Sequence, residues 1–143
     1  MRTINELEKY LEENCYSFQE ISIGNHRAYE GIYIEQADEK FIYGYSERGI
    51  KRILQSFDTE EELVHYALND LSKNKWNKAH LVAWTWNEID IEKAERDLRR
   101  LNITFERNDI RNFDTKHRNA YRIFVFGKDV KKLSEFILKY YKR

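Results

Sequence analysis

Over residues 3–14 apolar side chains return every three or four positions, at Ile4, Leu7 and Leu11. That spacing lays one face of a helix against a core. Thr3, with Glu6 three residues later, fits a capping box at its start. From Tyr16 to Phe57 the period falls to two, and three or four strands are predicted, over residues 17–23, 27–36, 40–46 and 50–57. They are parted by turn residues at Gly24-Asn25, Ala37-Asp38-Glu39 and Glu47-Arg48-Gly49. Connections this short predict an antiparallel meander.

The helical period returns after Asp58. Asp58 and Glu61 have capping-box spacing, Glu60, Glu61 and Glu62 suit the positive end of a helix dipole, and Leu63, Val64, Ala67, Leu68 and Leu71 form the stripe. Residues 73–78 read as a polar connection. The remainder predicts β-α-β-β-α: a strand over residues 80–86, with helix the alternative for this short apolar run, a helix capped by Asp90 with Ile91, Ala94, Leu98 and Leu101 inward, and strands over residues 103–107 and 121–127. A last helix follows, capped by Asp129, with Val130, Leu133, Ile137 and Tyr140 on one face. Residues 108–119 read as a polar, mobile loop. The expected fold is α+β: an N-terminal helix, an antiparallel meander, a helix, then β-α-β-β-α.

At 143 residues the chain suits one compact domain, residues 1–143, built from an acidic half (1–73) and a basic half (79–143). The net charge of zero hides this division. Residues 1–70 hold 7 Lys+Arg against 15 Asp+Glu, and residues 71–143 hold 18 against 10. Aromatics reach 15%, enough large side chains to build a core at this length. The single cysteine, Cys15, cannot form an internal disulfide, and no basic-then-apolar leader or long apolar run is present. A cytoplasmic setting without membrane association is therefore expected. The absence of proline excludes Pro-rich ligands and linkers.

Catalytic chemistry finds little support. His26, His65, His80 and His117 are far apart in sequence and none lies in a metal-binding pattern. Gly44 and Gly49 have the spacing of a phosphate loop, but Ile50, Lys51 and Arg52 follow where Lys and then Ser or Thr are required, so a hairpin turn is expected there. Cys15 has no basic neighbour in sequence and reads as a small buried hydrophobe. No serine sits in a nucleophile elbow. No catalytic residue, metal or cofactor is expected.

Two surfaces are candidates for binding. Alternation along the second and third predicted strands sets Tyr29, Gly31, Tyr33 and Glu35 beside Phe41, Tyr43, Tyr45 and Glu47. Ile32, Ile34, Ile42 and Gly44 fall on the opposite sides. This predicts a tyrosine-rich face edged by carboxylates. Tyr33, Glu35, Asp38, Glu39, Tyr43, Tyr45 and Glu47 are the candidate contacts to a protein partner, with rings as anchors and carboxylates as steering charges. If the third strand pairs with both neighbours, its two turns fall at opposite ends. The second candidate is basic: Lys93, Arg96, Arg99 and Arg100 on the polar side of one helix, with Arg111, Lys116 and Arg118 in the loop. These are the contacts of an alternative, nucleic-acid-associated function.

The stretch from Tyr43 to Leu71 joins a strand, the Glu47-Arg48-Gly49 turn and a Ser56-Phe57-Asp58-Thr59-Glu60-Glu61-Glu62 helix start. Together with residues 101–109 (LNITFERND) and 120–129 (AYRIFVFGKD), it resembles small immunity proteins of Firmicute polymorphic toxin systems. The similarity is to Bacillus-type antitoxins paired with LXG-type toxins and touches about half the chain. It implies a protein that binds one cognate toxin domain and blocks it inside the producing cell. A basic nuclease domain is one such partner that an acidic surface would steer and hold. The resemblance carries over no fixed set of binding residues.

Overall fold

The structure, a computed structural model, describes residues 1–142 and has an α+β fold. Where one compact domain was expected, the chain groups into two compact units, Met1–Lys78 and Ala79–Arg143, each with its own sheet and apolar core. The boundary falls where the composition changes from acidic to basic.

The first unit opens with α1 (Ile4–Glu13). Its capping box is present in both directions: Thr3 accepts from the Glu6 N–H, and the Glu6 carboxylate accepts from the Thr3 N–H. The helix ends in a left-handed turn at Cys15 (φ 53°), where the Tyr16 N–H reaches the Leu11 carbonyl and the Cys15 N–H reaches that of Glu12. Cys15 is only partly buried, not the core residue expected. Leu7 and Leu11 are fully buried and join a core with Leu63, Val64, Ala67 and Leu71 of α2 (Glu60–Ser72). The predicted cap of α2 is displaced by one residue. Thr59, not Asp58, accepts from the Glu62 N–H, because Asp58 is drawn into an ion pair with Lys40.

The four-stranded sheet runs in the order β1 (Ile21–Ile23), β2 (Gly31–Ala37), β3 (Lys40–Glu47), β4 (Ile50–Phe57). The meander is antiparallel from β2 to β4, but β1 pairs parallel to β2. Parallel neighbours usually need a connection of a dozen or more residues; here seven suffice. The chain reverses at Gly24 (φ 56°), where Ile23 and His26 exchange backbone hydrogen bonds, and reverses again at Gly31 (φ 116°). The predicted strands over 17–23 and 27–36 are accordingly shortened: residues 17–20 turn into β1, and residues 27–30 form the return leg. At Gly31 the Glu20 carbonyl crosses close enough to accept from the Ile32 N–H at 2.9 Å.

The second unit is a split β-α-β arrangement. Strand order is β5 (Ala79–Thr85), β7 (Tyr121–Phe126), β6 (Phe105–Arg107), with β7 antiparallel to both neighbours. Between β5 and β6 lies α3 (Glu88–Arg100), which buries Ile91, Ala94 and Leu98. Its cap is Asn87 rather than Asp90, which sits inside the first turn, and Leu101 ends the helix largely exposed rather than inward. The predicted last helix also divides. Asp129 belongs to a 3-10 turn, Gly127–Lys132, and α4 (Ser134–Tyr140) begins only after Leu133. Leu133, Phe136 and Tyr140 are buried, with Val130 and Ile137 packed against the same core.

Candidate binding surfaces

Register decides which side chains share a face, and it rearranges the tyrosine surface expected from alternation alone. Ile32 lies opposite Tyr45, Tyr33 opposite Gly44, and Ile34 opposite Tyr43. Directly opposed residues point to the same side of a sheet. Tyr43 and Tyr45 therefore share a face with Ile32 and Ile34, while Tyr33 and Glu35 share the other with Ile42 and Gly44.

Tyr43 is a core residue, 1% exposed, edge-on to Tyr66 of α2, with its hydroxyl donating to the Asp70 carboxylate at 2.5 Å. Burial and this carboxylate push the Tyr43 phenol above its ordinary value. A raised folded-state value means that the protonated form is favoured by folding. Its contribution is complete below the unfolded tyrosine value of about 10 and is lost as the pH rises from there. Unfolding free energy measured with urea is therefore expected to fall above pH 10, by at most about 1.4 kcal/mol per pH unit for this one group. The fall should be shallower in Tyr43→Phe; equal slopes in the two proteins would refute the assignment.

On the opposite face Tyr33 is also buried. Its ring lies over Gly44, where a Cβ would stand 2.2 Å from the ring, and the Lys51 ammonium sits 4.8 Å from the ring centroid. Lys51 also pairs with Glu35 at 3.2 Å. Tyr33, Tyr43 and Glu35 are thus engaged within the unit. Tyr45 is half-buried, near Glu47, Arg48, Ile50 and Arg52.

The remaining carboxylates are placed as anticipated: β3 pairs on both sides, so its two turns lie at opposite ends. Asp38, in a left-handed turn conformation (φ 57°), and Glu39 occupy one end; Glu47 occupies the other. All three are exposed. None has an ion-pair partner among the described residues, in contrast to Glu35 and Asp58.

The basic surface is partly neutralised. Arg99 pairs with Glu95 and Arg100 with Asp97 on the same helix, whereas Lys93 and Arg96 are exposed without an ion pair among the described residues. The polar loop over residues 108–119 is densely bonded. The Asp114 carboxylate accepts from the backbone of Lys116 and Arg118 and from the Arg118 guanidinium, which hold it below the usual carboxylate range. Arg118 in turn lies 3.8 Å from the centroid of Trp86, which with Phe113 packs around Trp84. Arg107, bonded to both Asp109 and Glu95, ties the start of this loop to α3.

Among the described residues no group of three or more His, Cys, Asp or Glu is placed to hold a metal ion, and no helix is long and apolar enough to cross a membrane. Comparison with family models, with curated proteins and with solved structures gives no match.

Sequence reasoning passed over one feature. Every residue of β4 but Phe57 is exposed, including Ile50 (74%), Ile53 (59%) and Leu54 (40%). The segment IKRILQSF lacks clean alternation, which was the available signal that no layer covers this strand.

Proposed function

We propose that this protein works by binding another protein, as a cytoplasmic immunity protein that occupies and blocks a cognate toxin domain of the LXG type without turnover of its own. The observation that carries this reading is the set of exposed, unneutralised carboxylates at both ends of β3: Asp38 and Glu39 at one, Glu47 beside half-buried Tyr45 at the other. They belong to a segment, residues 1–70, in which acidic residues exceed basic ones 15 to 7. Open charges of one sign raise the rate of encounter with an oppositely charged partner, and a neighbouring aromatic ring supplies contact area. The resemblance over residues 43–71, 101–109 and 120–129 supplies the class of partner.

Charge reversal tests the reading: Asp38→Lys with Glu39→Lys at one end, Glu47→Lys at the other. At least one end is expected to slow association with the cognate toxin domain by about tenfold at low salt, with less effect at high salt. The same variant should weaken protection of cells expressing the toxin. Unchanged association and full protection in every folded variant would move the interface elsewhere, with the loop over residues 108–119 next in line. In the alternative, nucleic-acid association through Lys93, Arg96, Arg99 and Arg100, two of the four cations are already held by carboxylates of α3.

A further inference from the structure

The free edge of β4 closes the four-stranded sheet on one side, and its eight residues are long for an exposed edge. The two-residue turn Arg48-Gly49, both residues at positive φ (54° and 80°), makes Glu47 and Ile50 the hydrogen-bonded closing pair of the β3–β4 hairpin. From there the antiparallel ladder alternates. Ile50 and Arg52 turn their backbone groups inward, and Lys51 and Ile53 turn theirs outward. A bulge at Leu54 then shifts the register, so that Gly44 faces Ile53 while Tyr43 faces Gln55. Beyond it Gln55 and Phe57 point their backbone inward and Ser56 outward.

The bulge also changes which side chains share a face. Ile50, Arg52, Gln55 and Phe57 lie on the side of Tyr43 and Tyr45; Lys51, Ile53 and Ser56 lie on the side of Gly44. Two copies of a strand related by a two-fold axis pair antiparallel, and opposed residues must come from the same face. One central register of β4 on itself satisfies this on both sides of the bulge. It sets Ile50 against Phe57 of the second copy, Lys51 against Ser56, and Arg52 against Gln55, with Ile53 and the bulged Leu54 of both copies at the two-fold axis. Ile50 then meets Phe57, and each cation meets a neutral hydrogen-bonding side chain. The outward backbone of Lys51 meets the outward backbone of Ser56 in both symmetry-related places. The register centred on Arg52 also matches faces locally, but it opposes two arginines, which is unfavourable.

We propose that β4 is a self-pairing edge, through which two copies of this chain join their four-stranded sheets into one sheet of eight. The bulge, which ordinarily makes an edge hard to extend, is here what brings the faces into agreement. With a single strand pair at its centre, the contact belongs to the small, reversible class of interface, and a concentration-dependent equilibrium is expected rather than a permanent dimer.

The test uses the full chain. In sedimentation equilibrium from about 1 μM to 1 mM, the mean mass is expected to rise from 17.5 kDa towards twice that value. Hydrogen exchange at the upper concentration should slow at the Lys51 and Ser56 amides. Ile53→Lys, at a side chain already 59% exposed, should keep the fold and weaken association at least tenfold. Register is read by cross-linking in a Cys15→Ser background. A mixture of Arg52→Cys chains with Gln55→Cys chains should form covalent dimers on mild oxidation, and neither alone should do so. A monomer at every concentration would mean a solitary edge guarded by Arg52, and would overturn the proposal. So would a dimer indifferent to Ile53→Lys, or Arg52→Cys chains that link to one another.

Discussion

Gly31→Ala is expected to cost more than about 3 kcal/mol of stability. Gly31 sits at φ 116°, a region that side chains with a Cβ avoid, and strain there amounts to about 1–3 kcal/mol. A Cβ at this position would also stand 2.1 Å from the Glu20 carbonyl oxygen and 2.7 Å from its carbon. Those are backbone atoms and cannot swing aside as a side chain would. Relief requires the Glu20 carbonyl to leave the Ile32 N–H, a bond worth about 1 kcal/mol. It also loosens β1, whose Ile21 and Ile23 are buried in the core. Gly49→Ala is the control. Gly49 also has positive φ (80°), but nothing lies within 4 Å of its missing Cβ, so only the backbone term of about 1 kcal/mol is expected. Urea unfolding of the two variants separates steric from conformational cost. A Gly31→Ala protein no less stable than Gly49→Ala would show that the β1–β2 link is not held as described.

Tyr43→Ala is expected to destabilise by about 3–5 kcal/mol, the range for truncating a large aromatic in a packed core. Tyr45→Ala should cost about 1 kcal/mol or less, because its ring is already half in solvent. Function is expected to divide the other way. Under the proposed function, Tyr45→Ala should raise the dissociation rate of the toxin complex while leaving the unfolding midpoint nearly unchanged. Tyr43→Phe, which keeps the ring and loses the bond to Asp70, should lower stability by about 1 kcal/mol and leave toxin binding intact. A Tyr43→Ala chain as stable as the parent would return this ring to the surface and undo the face assignment.

Two surface carboxylates add a small acid-sensitive contribution. Hydrogen bonds from the Arg2 backbone and Thr3 hold Glu6, and bonding to Lys40 holds Asp58, below the usual carboxylate range. Lowered folded-state values contribute stability above the unfolded carboxylate range, near pH 4, and lose it as the pH falls. Because these carboxylates are exposed, their contribution is small.

Helices were legible from the sequence because what makes a helix is local. The stripes at Leu7 and Leu11, at Leu63, Val64, Ala67 and Leu71, and at Ile91, Ala94 and Leu98 all became buried faces. Element order, the three-strand antiparallel meander and the opposite placement of its turns followed from spacing and connection length. Caps were legible only to within a few residues. Asp58 and Thr59 can each cap a helix, and a lysine eighteen positions earlier in the chain settles the choice. What tertiary structure alone decided was register. Alternation says that Tyr33 and Glu35 share one face of their own strand and Tyr43 and Tyr45 share one of theirs. It does not say whether those faces coincide, since a shift of one residue exchanges them. Ile34 opposite Tyr43 put that tyrosine in the core, and the bulge at Leu54 realigned the faces of β4. Both depend on pairings between residues distant in sequence, whose free energy is gained only once the strands have met; for that reason no period along a single strand could reveal them.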